Sequence, residues 1–323
     1  MAVVLLAFAG LLAVMGAGTY LAPGPRAARG ASTEVVLPQG AGVTRIASTL
    51  YRAGVIRSRV VFALAAEATG AAPRLKAGDY VFGSRASMAE ILRKIRLGLV
   101  ARRFVTIPEG FSWLQAAQVL ARNDELTGSL EAAPEGSILP ETYEVRHGES
   151  RAALVRRMQA AQADLLAQLW ADRAPGLPYR TPYEAVILAS IVEKETARTD
   201  ERPHIAAVFL NRLRQGMRLG SDPTVIYGLT GGVPLGHGLR VSELAKRTAF
   251  NTYEIAGLPP TPIANPGKAA LVAALHPLKT DDLYFVADGT GGHVFAATLA
   301  EHTRNVVKWR AIEKARAQGE PPP

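Results

Sequence analysis

Residues 2–22 contain no charged side chain and are rich in Leu, Val, Ala and Phe. As a helix, that run is long enough to cross a hydrocarbon core of roughly 30 Å. It therefore reads as a transmembrane helix over 1–22. A cleaved signal peptide is the first rival, for which the run is long. A buried core helix is the second, which would normally show a polar face. The nearest basic residues, Arg26 and Arg29, follow the run. By the positive-inside rule they would hold that side in the cytoplasm.

Beyond the run, Pro, Gly, Ala and Arg dominate up to residue 32 and mark a linker over 23–32. The remaining length suffices for one large or two modest cores. Lys and Arg number 37 against 28 Asp and Glu, a net charge of +9. An anionic partner follows from that balance: lipid, an acidic polysaccharide or nucleic acid. The basic residues are scattered as pairs and singles, such as Arg93-Lys94 and Arg156-Arg157, with no zinc-ligand spacing or RNA-binding aromatic signature, so nucleic acid ranks last. There is no cysteine, which excludes disulfides, thiolate metal sites and cysteine nucleophiles. The six histidines show no paired helical spacing, so neither a metal nor any other cofactor is expected.

Local patterns predict an α+β chain. Residues 33–37 read as a strand, 43–53 and 59–68 as helices, and 75–82 as a turn into a strand. Residues 87–97 follow as a helix with Met88, Ile91, Leu92 and Ile95 on one face, and 103–107 as a strand. A second, helix-rich stretch begins near Ser112 and includes a long helix over 151–170. Thr181-Pro182-Tyr183-Glu184 is a helix start, with Thr as N-cap, Pro at the first helical position and Glu placed to close a capping box. Continued to about residue 198, that helix sets Glu195 on the face of Leu188, Ile191 and Val192, and turns Glu193 nearly the opposite way, to a supporting or solvated position. A carboxyl at the edge of an apolar face loses hydration, which raises its pKa toward the range of a general acid. Most Glu residues near helix ends are merely solvated, so company matters. Asn211-Arg212, Ser221-Asp222-Pro223-Thr224, Tyr227, Asn251-Thr252-Tyr253 and His293 bring amide, hydroxyl and aromatic groups on turn-rich sequence, as a sugar-binding cleft requires. The bland reading of the same groups is that they cap turns, and for His293 after Gly291-Gly292 that reading is equally open. Asp222 matters as a second carboxylate that would permit a hydrolytic route.

The series Val186 to Thr196, Phe209-Leu210-Asn211-Arg212-Leu213, Ser221-Asp222-Pro223-Thr224-Val225-Ile226-Tyr227-Gly228, Phe250-Asn251-Thr252-Tyr253, Gly257-Leu258-Pro259-Pro260 and Ile263-Ala264-Asn265-Pro266-Gly267 resembles the MltG (YceG-like) endolytic murein transglycosylases. Ile107-Pro108-Glu109-Gly110 and Ile138-Leu139-Pro140-Glu141-Thr142-Tyr143 extend the resemblance to nearly the whole chain. It implies a single-pass inner-membrane protein with its body in the periplasm, against the charge asymmetry of Arg26 and Arg29. It also implies a LysM-like module over 33–110 and a catalytic domain over 111–317, while the Pro-Pro-Pro end reads as a disordered tail over 318–323. The reaction implied is cleavage of the MurNAc–GlcNAc β-1,4 bond of nascent peptidoglycan strands to 1,6-anhydroMurNAc ends, a terminator of glycan polymerisation, with Glu195 as catalytic residue. Thr196, Asn211, Asp222, Thr224, Tyr227, Asn251, Thr252 and Tyr253 are the expected substrate-binding residues. Peptidoglycan strands, the inner membrane and peptidoglycan synthases are the expected partners. A muramidase-type hydrolase and a non-catalytic peptidoglycan-binding scaffold are the alternatives.

Overall fold

The computed structural model describes residues 14–318. Most of the expected membrane helix and residues 319–323 of the expected tail lie outside the described residues. Residues 14–21 are helical. Among the described residues, no helix is long and apolar enough to cross a membrane. The chain divides into two compact units, Met1–Arg103 and Phe104–Pro323. Residues 104–110, expected in the first module, thus belong to the second.

In the first unit, β1 (Ser32–Leu37) is followed by α1 (Val43–Arg52), α2 (Arg59–Ala68), β2 (Gly78–Gly83) and α3 (Met88–Leu97). The two strands pair antiparallel, from Ser32 opposite Gly83 to Leu37 opposite Gly78. Strand alternation turns Val35 and Leu37 of β1, and Tyr80 and Phe82 of β2, into one core. Ile46 and Leu50 of α1, Phe62 of α2 and Ile91 and Ile95 of α3 complete it. Ser87 and Glu90 close a reciprocal capping box on α3, and Gly98 ends that helix at φ 71°, the left-handed conformation a glycine adopts without steric cost. The Tyr80 hydroxyl, buried with its ring, donates to the carbonyls of Lys76 at 2.9 Å and Ile95 at 3.3 Å.

The second unit opens with β3 (Arg103–Thr106), α4 (Trp113–Ala121), β4 (Leu126–Thr127), β5 (Thr142–Val145), β6 (Glu149–Ser150) and α5 (Arg151–Ala171). β3 pairs with β5 and β4 with β6. Val105, Ile107, Leu120, Ile138, Leu154 and Met158 form the cluster they enclose. The chain continues through α6 (Pro182–Glu195), α7 (Arg202–Arg214), α8 (Asp222–Thr230), the single turn α9 (Val241–Leu244), α10 (Lys268–Leu275), the hairpin β7 (Tyr284–Ala287) and β8 (His293–Ala296), and α11 (Leu299–Gln318). Helix α6 packs on α5, α7, α8 and α10, and the hairpin lies on α7 and α11.

This surround explains α6. Every residue from Ala185 to Glu193 is buried, so the helix has no solvent face and needs none. Thr181 caps it by accepting from the Glu184 amide at 3.4 Å. The Glu184 carboxylate reaches past the expected partner and accepts from the Arg180 amide at 2.6 Å, so the box closes one residue early. The helix stops at Glu195, with Thr196 extended, rather than running to residue 198.

All three tryptophans, Trp113, Trp170 and Trp309, lie in the second unit, so their fluorescence follows that unit alone. Leu188→Ala, at a fully buried position of α6, is expected to lower its unfolding free energy in urea by about 2–5 kcal/mol. Val241→Ala, at a position 84% exposed, is expected to change it by no more than about 0.5 kcal/mol.

Candidate active site

The end of α6 brings two carboxyl groups into different surroundings. Glu193, expected in a supporting or solvated position, is buried, because α6 is enclosed from Ala185 to Glu193. Its Oε1 accepts from the Arg202 guanidinium at 2.6 Å and its Oε2 from the Gly267 amide at 2.9 Å. Burial pushes its pKa up, against the Gly267 hydrogen bond and the Arg202 charge. A salt-bridged, hydrogen-bonded buried carboxylate is a framework group.

Glu195 keeps partial exposure and stands where two concavities meet. The first, of about 810 Å³, is lined by Asp222, Tyr253, Arg212, Tyr284 and Phe285, with Glu195 at its edge. The second, of about 400 Å³, is lined by Glu109, Lys194, Thr196 and Arg202, again with Glu195. Desolvation pushes the Glu195 pKa up to about 7; a hydrogen bond from Ser221 opposes this, the Asp222 charge adds to it, and His293 and Arg212 oppose it. Such a carboxyl exists in both protonation states near neutrality and can both give and take a proton.

Ser221 is the partner that matters most, and it was hidden in the sequence by an ordinary pattern. Ser-Asp-Pro is a helix start, and Ser221 does occupy the N-cap of α8, yet its side chain caps nothing. The hydroxyl donates instead to Glu195 Oε1. Three further bonds fix it. The Ser221 amide donates to Thr252 Oγ1 at 2.9 Å, the Thr224 hydroxyl donates to the Ser221 carbonyl at 2.6 Å, and the Thr224 and Thr252 hydroxyls meet at 2.8 Å. Thr224 and Thr252 are fully buried, so their hydroxyls are spent on this knot.

Of the other residues singled out from sequence, Asp222 and Tyr253 share the larger cleft with Glu195. The Tyr253 hydroxyl donates to Asp222 Oδ1 at 2.7 Å, and burial followed by that bond raises its pKa. Gly220, beside that ring, takes φ 58°, the left-handed conformation a glycine adopts without steric cost. Asn251 is fully buried, with Nδ2 on the carbonyls of Leu244 and Lys246, each at 2.8 Å, and Oδ1 on the Tyr253 amide at 3.0 Å. It shapes the loop that presents Tyr253. Asn211 donates to the carbonyls of Thr280 and Asp282 and so anchors the segment before β7. Tyr227 turns away from the cleft, donating to Glu135 Oε2 at 3.1 Å and meeting the Phe250 ring edge-on at 4.8 Å. Thr196, buried, accepts from the Arg198 amide at 3.0 Å and donates to Glu201 Oε2 at 3.4 Å.

Two long-range partners carried no local signal. Glu201 accepts from the His293 amide at 3.0 Å and holds its ring Nδ1 at 2.7 Å, so His293 belongs to a pair and does not merely cap a turn. Glu135 is half-enclosed by the Trp113 amide at 2.8 Å, Asn265 Nδ2 at 3.1 Å and Tyr227, and desolvation raises its pKa. Among the described residues, no group of three or more His, Asp or Glu side chains forms a candidate metal site.

The sequence matches the YceG-like family over residues 35–308. An endolytic murein transglycosylase of Bacillus subtilis (strain 168) is 29% identical over 312 residues, covering 86% of this chain and 85% of that protein. One from Streptococcus pneumoniae serotype 2 (strain D39) is 29% identical over 324 residues, covering 85% of this chain and 58% of that longer protein. The crystal structure of a YceG-like protein from Listeria monocytogenes has a TM-score of 0.55 and 28% sequence identity, covering 84% of this chain and 98% of that one. With a match that spans most of its length and takes in α6, the Ser221 turn and the Asn251 loop, the chain belongs to the YceG-like family, which includes endolytic murein transglycosylases.

Proposed function

We propose that this protein is an endolytic lytic transglycosylase of peptidoglycan, cutting the MurNAc–GlcNAc β-1,4 bond within a strand and leaving a 1,6-anhydroMurNAc end. The observation that supports this best is a carboxyl, Glu195, raised to a pKa of about 7 and lining two concavities. An endolytic enzyme must hold sugar on both sides of its acid.

One carboxyl is enough for both half-steps. Glu195 gives its proton to the glycosidic oxygen as the C1–O bond breaks, and the positive charge develops on C1 and the ring oxygen. The ionised Glu195 then takes the proton of the same sugar's 6-hydroxyl as that oxygen bonds to C1, which restores the acid and closes the anhydro ring. Ser221 serves both stages, since a hydroxyl donor steadies the carboxylate form while leaving the second oxygen to the substrate. Tyr253, Tyr284 and Phe285 offer ring surface to pyranose faces in the larger cleft. Arg212 is committed to the carbonyls of Leu283 and Leu219, each at 2.6 Å, and so contributes field more than contact.

The same reading makes the protein a terminator of nascent glycan polymerisation, carried on a single-pass helix in the inner membrane with its body in the periplasm. The first unit, two strands with two helices between them, suits a LysM-like module that engages the polymer, and peptidoglycan synthases would be neighbours in that work. A specific observation favours a second reading: Asp222 lies in the cleft with Glu195, and a second carboxylate able to activate water would make the enzyme a muramidase.

Digestion of purified glycan strands, with mass analysis of the product ends, separates these. Wild type is expected to give anhydro ends. Glu195→Gln is expected to lose about 10²–10⁴-fold in rate while remaining folded, whereas Glu193→Gln would act through stability, because it weakens the partner of buried Arg202. Reducing MurNAc ends would replace the transglycosylase reading by the hydrolase. Unimpaired cleavage by Glu195→Gln would refute both.

The raised pKa sets two pH trends. Activity that needs protonated Glu195 is expected to fall as pH rises through about 7. The fold favours the neutral carboxyl, so its contribution to stability is present below the ordinary value of 4.5 and is lost as pH rises to about 7. Thermal melts of wild type and Glu195→Gln at pH 5 and pH 8 test this: the variant is expected to gain on wild type at the higher pH.

A further inference from the structure

The two concavities that meet at Glu195 differ in chemistry. The larger has aromatic walls, whereas the smaller has none and is lined by Glu109, Lys194, Glu195, Thr196 and Arg202 with Gly110, Glu193 and Ala197. A groove for a bare sugar ring would normally offer it an apolar face. This one offers ions of both signs.

Its floor is built, not incidental. Arg202, with a side chain 7% exposed, is held by Glu193 through one nitrogen. Among the described residues, its Nε and Nη1 have no hydrogen-bond partner, and Nη1 stands 3.6 Å from Glu109 Oε2, an ion-pair distance too long for a hydrogen bond. Leaving buried donors unused is unfavourable, so such a group points to a partner that arrives from outside. Glu109 is held where it can give way. Its carboxylate fills the space beside Gly267, where a Cβ would overlap it at 1.8 Å, yet its side chain is 45% exposed. Lys194 stands at the rim, its ammonium donating to the Gly110 carbonyl at 3.3 Å. A chain of amides with charged groups would find donors for its carbonyls and carboxylates in Lys194 and Arg202, and an acceptor for its N–H or ammonium groups in Glu109.

Peptidoglycan presents such a chain close to the bond being cut. The stem peptide leaves the strand from C3 of the muramyl ring, the ring whose C1–O bond breaks. Resting on the glycan-cleaving reading, we infer that the groove formed by Glu109, Lys194 and Arg202 beside Glu195 is a binding site for the stem peptide of the muramyl residue under attack. The enzyme then selects peptide-bearing strands over stripped ones, and the selection resides in this groove.

The test compares cleavage of peptide-bearing strands with the same strands stripped by an amidase, using wild type, Lys194→Ala and Glu109→Gln. Both altered side chains are solvent-exposed, and tryptophan-monitored unfolding checks that the variants fold. Wild type is expected to favour the peptide-bearing substrate in kcat/KM by about tenfold or more, the worth of one charge-assisted hydrogen bond. Each variant is expected to erode that ratio several-fold, mainly through KM on the peptide-bearing substrate. Equal use of both substrates by wild type, or a ratio that neither variant changes, overturns the peptide site and leaves the catalytic reading standing. Failure of wild type to cut either substrate overturns both.

Discussion

Everything at this site depends on α6 being buried on all sides and then stopping. A helix without a solvent face is fixed by its neighbours, so the position of its last residue is fixed too. Glu195 is that last residue, and the helix end has an electrostatic consequence. The C-terminus of a helix concentrates its unpaired carbonyls, a negative pole that disfavours a nearby carboxylate. Desolvation acts in the same direction. A proton-transfer group near neutrality therefore follows from where the helix terminates, with Ser221 supplying the counterweight that keeps the ionised form accessible.

The Glu193–Arg202 pair two residues earlier answers a different need. A buried ion pair is poor evidence of net stability, since desolvation offsets most of its attraction. Its geometry is informative, because Glu193 joins Arg202 at the start of α7 to the Gly267 amide at the start of α10. Those two helices flank α6. One side chain thus ties three helices at the level where Glu195 emerges. The pair also leaves Arg202 lining the smaller groove.

Local chemistry was legible and remote chemistry was not. The strand over 33–37, the helix over 87–97 with Met88, Ile91, Leu92 and Ile95 inward, and the Thr181 cap are decided within a few residues, and the sequence pattern predicts them. The burial of Glu193 is not legible in a helical wheel, which assumes one wet side, because α6 has none from Ala185 to Glu193. Its end at Glu195 was missed because no Gly or Pro marks it; the chain turns extended at Thr196, where Glu201 and the Arg198 amide take the hydroxyl. Ser221 stands in the sequence among the hydroxyl groups suited to a cleft, but nothing in Ser-Asp-Pro distinguishes a hydroxyl bonded to Glu195 from one that caps a turn. Glu201 with His293, and Glu135 with Tyr227, pair across some 92 residues each, and no spacing rule reaches that far. Thr224, Thr252 and Asn251 illustrate the converse: polar residues in a striking local cluster turned out to hold one another and the backbone.

The position of Asp222 bears on both catalytic readings in a way that the choice of nucleophile obscures. Its charge raises the Glu195 pKa, so it favours the proton that the first half-step consumes, whether water or the 6-hydroxyl attacks next. One Asp222 oxygen is engaged by Tyr253, itself presented by the Asn251 turn. A carboxylate so engaged is restrained in orientation, and its ability to activate water depends on its second oxygen. Transglycosylase and hydrolase differ, in these terms, by whether a water can stand between that oxygen and C1 once the sugar is seated. The 6-hydroxyl needs no such space, because the substrate brings it to C1 on its own ring.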